Sequence, residues 1–156
     1  MSERLLAVLH GCNLNMLGER DPAHYGRQTL TELETLVKEH AARSGFSACI
    51  CFQTNHEGEL VEQIQKLRLS AAAVIINPGA WTHYSYAIHD ALELVRSPVV
   101  EVHLSDIAHR QEEWRRRSVI SDVCDRTISG KGSDGYLEAV SWLAERTAGP
   151  EGKLET

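Results

Sequence analysis

No apolar run in this chain approaches the roughly 20 residues needed to cross a bilayer, so no membrane partner is expected. The first residues, Met1-Ser2-Glu3-Arg4, lack the pattern of a secretory leader, and the expected location is cytoplasmic. A basic surplus is also missing. Sixteen Lys and Arg against 22 Asp and Glu leave a net charge of −6. Nucleic-acid binders usually carry the opposite balance. The one basic run, Arg115-Arg116-Arg117, is too short to follow a phosphate backbone. The four cysteines, Cys12, Cys49, Cys51 and Cys124, form no CxxC pair and no zinc-finger spacing. Neither a disulfide nor a structural metal is expected. Cys49 and Cys51 flank Ile50 and read as small buried hydrophobes on one strand face. No two histidines stand four apart on a predicted helix, which argues against a metal site. The glycine-rich Gly130-Lys131-Gly132-Ser133-Asp134-Gly135 lacks P-loop spacing. Internal repeats and low-complexity blocks are absent.

What remains is an ordinary globular composition. Apolar residues make up 42% of the 156 residues and charged residues 24%, enough for one domain with a core. Apolar strand-like runs alternate with helical periodicity. Strands are predicted over 4–10, 46–53, 72–77, 98–103 and 123–129. Helices are predicted over 29–44, 59–69, 84–95 and 134–146. In the first helix Leu30, Leu33, Leu36 and Val37 make the inward stripe. The alternation implies an α/β, flavodoxin-like doubly wound sandwich, a five-stranded parallel sheet with helices on both faces. The whole chain, 1–156, reads as one domain, with 148–156 a frayed tail.

Four polar clusters follow predicted strands: 11–26, 53–58, 77–83 and 101–105. In a parallel sheet they share the carboxyl edge, where such sheets bind ligands. The first carries Asn13, Arg20 and Tyr25. A guanidinium close to a phenol favours its ionised form, which is a base. Packing of the loop is the plainer role for Tyr25. Glu101 and His103, two apart on a strand, point to one face. A carboxylate beside an imidazole favours imidazolium and orients it, which suits a general acid. A structural hydrogen-bonded pair fits the same spacing. Asn13 and Asn77 are amides able to hold a carboxylate or an oxyanion, or simply to shape turns. His83 suits a hydroxyl or a helix cap.

These clusters resemble type II 3-dehydroquinate dehydratases. The carriers are Gly11-x-Asn13-Leu14-Asn15-x-Leu17-Gly18-x-Arg20-x-Pro22-x-x-Tyr25-Gly26, Gln53-x-Asn55-His56-Glu57-Gly58, Asn77-Pro78-Gly79-Ala80-x-Thr82-His83 and Glu101-Val102-His103-Leu104-Ser105. Arg115-x-x-Ser118 and Gly135-Tyr136 add to them. The resemblance implies a hydro-lyase without cofactor or metal. It would remove water from 3-dehydroquinate by anti elimination through an enolate, giving 3-dehydroshikimate. It implies Tyr25 as base, Arg20 as its activator on a lid, and Asn13 holding a water at the enolate. His103 would be the acid, oriented by Glu101. Asn77, Leu104 and Ser105 would hold the carboxylate, and His83 and Arg115 the ring hydroxyls. Asp90 would reach a neighbouring subunit's site in trimers, four of which make a dodecamer. The reaction would serve aromatic biosynthesis or quinate metabolism.

The chain departs from the family pattern at His10 and Cys12, where Asn and Pro are usual, and at Tyr84, Tyr86, His89 and Arg117. The segment 106–117 is one residue longer. Arg115 is placed by counting back from Ser118. The departures leave open a paralogue acting on a related cyclic hydroxy acid, or a non-catalytic small-acid binder. Trp81, Tyr84 and Tyr86 are candidate interface residues.

Overall fold

The longest apolar runs become strands. A computed structural model describes residues 3–149, and the proposed frayed tail falls largely outside them. The strands are β1 (Leu5–His10), β2 (Ala48–Gln53), β3 (Ala73–Asn77), β4 (Val99–His103) and β5 (Arg126–Ser129). They pair in parallel in the order β2-β1-β3-β4-β5. This is the flavodoxin-like order, with the topological switch between β1 and β3.

The helices are α1 (Pro22–Tyr25), α2 (Leu30–Arg43), α3 (Glu57–Leu67), α4 (Tyr86–Leu92) and α5 (Ser133–Thr147). Alternate residues of β1 explain their sides. Leu6 and Val8 face α2 and α5 through Leu33, Val37, Ala41, Val140 and Leu143. Ala7 and Leu9 face α3 and α4 through Leu60, Ile64, Ile88 and Leu92. Both faces of β1 are sealed, as a central parallel strand requires. Edge strand β2 is only half-buried. Thr29 caps α2, its hydroxyl accepting from Glu32 N at 3.2 Å, a contact that stabilises by about 1 kcal/mol. Ser85 caps α4 in the same way from Ile88 N. No helix among the described residues is long and apolar enough to cross a membrane.

Four sequence expectations need correction. Leu36 is exposed, because the inward arc of α2 runs through Leu33, Val37 and Ala41 and leaves it on the flank. β5 begins at Arg126, since 121–123 is taken up by a 3-10 turn. α4 is shorter than its apolar pattern suggested: a 3-10 turn, Gly79–His83, occupies the approach, and Ser85 fixes the start. That turn buries Trp81, so it is core and not interface, whereas Tyr84 and Tyr86 are exposed.

Candidate active site

The loops after β1 and β3 meet without side chains between them. Gly11 N donates to Asn77 O at 2.7 Å. A Cβ on Gly11 would lie 2.1 Å from Pro78 O, so only glycine fits. Beside it Asn13 adopts φ 67°, the single positive value outside glycine among the described residues. Asn tolerates that conformation better than most residues. The second polar cluster braces this loop. Asn55 Oδ1 accepts from Asn13 N at 2.8 Å, and Gln53 Nε2 donates to Gly11 O at 3.1 Å.

A recess of about 470 Å³, counting the space open at its mouth, lies at this carboxyl edge. Arg20, Tyr25, Asn77, His83, His103, Leu104, Ser105 and Arg115 all line it. Glu101 lies behind it, fully buried. Asn13 is exposed on the loop and outside the lining. Asp90 is also outside, on α4, its side chain 78% exposed and 3.1 Å from His89 Nδ1.

Glu101 and His103 share a face of β4, as their spacing requires. His103 Nε2 and Glu101 Oε2 are 2.5 Å apart. The same carboxylate accepts from Thr82 Oγ1 at 2.6 Å, Ser118 Oγ at 2.8 Å and Thr127 Oγ1 at 3.3 Å. Burial pushes the Glu101 pKa up, but His103 and then the hydroxyls of Thr82 and Ser118 outweigh it and hold it below the usual value. Glu101 is therefore a buried carboxylate in its ionised form. Nδ1 of His103 makes no hydrogen bond among the described residues, and the ring lines the recess.

Tyr25 stands under two guanidiniums. Arg20 Cζ lies 3.7 Å from the ring centroid, close to the phenol as expected, over its face and not at its hydroxyl. The contact at the oxygen comes from Arg110, whose Nη1 donates to Tyr25 Oη at 3.4 Å and to Ser105 Oγ at 3.3 Å. Sequence reasoning missed Arg110, which lies in an irregular loop without periodicity.

Asn77 is locked in place. Its Nδ2 donates to the buried Tyr136 Oη at 3.0 Å, and its Oδ1 accepts from Gly79 N at 3.1 Å. His83 Nδ1 lies 2.6 Å from Arg117 O. Burial lowers the His83 pKa, partly offset by that carbonyl. Arg115 stacks on Trp114 at 4.2 Å and lies 3.4 Å from Glu112. No Asp or Glu lines the recess, and three arginines do. The pocket is therefore cationic within an acidic chain and suits a small anion. His10, Cys12 and Tyr84 do not line it.

The fold and this recess define an open α/β protein with a cationic small-molecule site at its topological switch point. The particular family follows from comparison with known proteins. The chain matches the family described as Dehydroquinase class II over residues 4–144, and it belongs to that family. It is 53% identical over 130 residues to the 3-dehydroquinate dehydratase of Syntrophotalea carbinolica, covering 83% of this chain and 86% of that one. It is 49% identical over 138 residues to the enzyme of the same name from Thermotoga neapolitana, covering 88% and 92%. Among solved structures it resembles the type II dehydroquinase of Propionibacterium acnes, with TM-score 0.87 and 40% identity over 92% of this chain and 98% of that one.

Proposed function

We propose that this chain is a 3-dehydroquinate dehydratase and that its own side chains carry the reaction. The observation behind the reading is the pairing, in one cationic recess, of a buried ionised Glu101 on His103 with a tyrosine under two guanidiniums. Tyr25, as phenolate, takes a proton from carbon 2, and the electron pair moves to the ketone oxygen as an enolate. Arg110 on the oxygen and Arg20 over the ring stabilise the phenolate. Asn13 holds a water against the enolate. The enolate then collapses, the carbon–oxygen bond to the leaving hydroxyl breaks, and His103 donates the proton that makes it water. Glu101 orients the ring through the contact at Nε2. Asn77, with the Leu104 and Ser105 segment, receives the carboxylate, and His83 and Arg115 the ring hydroxyls.

The exposed carboxylate of Asp90 suits a role in a neighbouring subunit's site, within trimers that build a dodecamer. One sheet running from residue 5 to 129, with α5 packed on it, supports a single catalytic domain. Incubation with 3-dehydroquinate tests the reading: enone absorbance should grow. Tight binding without turnover would instead favour the non-catalytic binder. Faster turnover of another cyclic hydroxy acid would favour the paralogue, but the departures at His10, Cys12 and Tyr84 lie outside the recess.

A further inference from the structure

Behind the recess, on the α2 side of β1, lies a second cluster that this reaction does not use. His10 is fully buried, and neither ring nitrogen makes a hydrogen bond among the described residues. A buried imidazole in that state is costly unless another partner takes the lone pair. Its nearest groups are metal ligands. Glu34 Oε1 on α2 lies 3.4 Å from His10 Nε2. Single donor atoms of His10, Glu34 and Cys51 all lie within 4.8 Å of one another. Cys49, two residues before Cys51 on β2, faces the same side of the strand.

We propose that His10, Glu34 and Cys51 bind a thiophilic divalent cation of the zinc type. The donor chemistry selects the metal. Imidazole, thiolate and one carboxylate suit zinc or cobalt, whereas magnesium and calcium call for oxygen throughout. In a tetrahedral site with bonds of about 2.0–2.3 Å, ligand atoms lie about 3.3–3.8 Å apart; the His10–Glu34 pair at 3.4 Å already meets this, and the 4.8 Å bound on all three leaves any remaining approach to Cys51. Glu34 and Cys51 are only half-buried and can close the gap. Entry is open as well, since β2 is the edge strand. The ligands come from β1, α2 and β2, so no short spacing announces them.

The test is cobalt(II) titration of the purified full chain. A near-ultraviolet thiolate-to-cobalt charge-transfer band and the visible bands of a tetrahedral ion should appear. They should saturate at one ion per chain and vanish on adding zinc. Cys51→Ser should remove the charge-transfer band. Glu34→Gln, on a half-exposed helix position that tolerates change, should weaken binding about tenfold or more, the scale on which even outer-shell partners act. Cys124→Ser should change neither. Zinc should also raise the unfolding temperature of the unaltered chain. Absence of the thiolate band would overturn the proposal. So would a band that survives Cys51→Ser, or visible bands lost instead in His89→Asn, which would place the ion at the exposed His89, Asp90 and Glu93 cluster.

Discussion

Replacing Glu101 by Gln keeps the shape of the side chain and removes its charge. In the native chain this carboxylate accepts from His103, Thr82, Ser118 and Thr127 with no exposure to water. The hydroxyls of Thr82 and Ser118 can rotate to meet an amide. His103 cannot, because its Nε2 is fixed 2.5 Å from Oε2 by the strand geometry. The loss is one charge-assisted hydrogen bond in a dry site, about 1.5–3 kcal/mol. If that energy is felt where His103 gives up its proton, kcat falls by roughly one to two orders of magnitude. Substrate should still bind, because Glu101 does not line the recess, so KM should move only a few-fold. Steady-state rates on 3-dehydroquinate measure both effects. A kcat within about threefold of the native value would refute the argument that Glu101 sustains the acid.

Arg110→Ala removes the donor at Tyr25 Oη, and kcat should fall about ten- to a hundredfold with the fold intact by circular dichroism. Tyr136→Phe strands the buried Asn77 Nδ2 and should cost about 1–3 kcal/mol of stability in urea unfolding, together with a raised KM. Gly11→Ala forces a methyl against Pro78 O and should destabilise by about 1–3 kcal/mol or more, read from the urea midpoint. Since the folded Glu101 pKa is depressed, its contribution to stability is present above the ordinary carboxylate value of 4.5. It should be lost as the pH falls through the lower folded value, and Glu101→Gln should flatten that acid limb of the stability curve.

The elements and the Glu101–His103 pairing were legible because their signals are local. Strands β1 and β3 are unbroken apolar runs, and the spacing of Glu101 and His103 alone puts both on one face. The hidden part depends on contacts far apart in sequence. Arg110 meets Tyr25 across 85 residues from an irregular loop. Arg20 shares a loop with Tyr25, yet adjacency did not say that it would stack on the ring rather than reach the oxygen. Trp81 looked like surface because it sits among polar residues, and a 3-10 turn rotates it inward. His10 stands next to the opening loop in sequence but points to the α2 side of β1, toward Glu34. Alternation along a strand predicts that two faces exist; which one meets the recess is set by the packing of α2 and α5.

The proposed reaction turns on Tyr25 as the base in the dehydration of 3-dehydroquinate. The direct measurement compares native chain and Tyr25→Phe for enone formation, with calorimetric binding of the substrate to the variant. The account predicts growing absorbance for the native chain, none for the variant, and retained binding, since the ring and its stacking on Arg20 survive the change. A variant that turns over near the native rate, or a native chain that forms no enone across a range of pH, would contradict it.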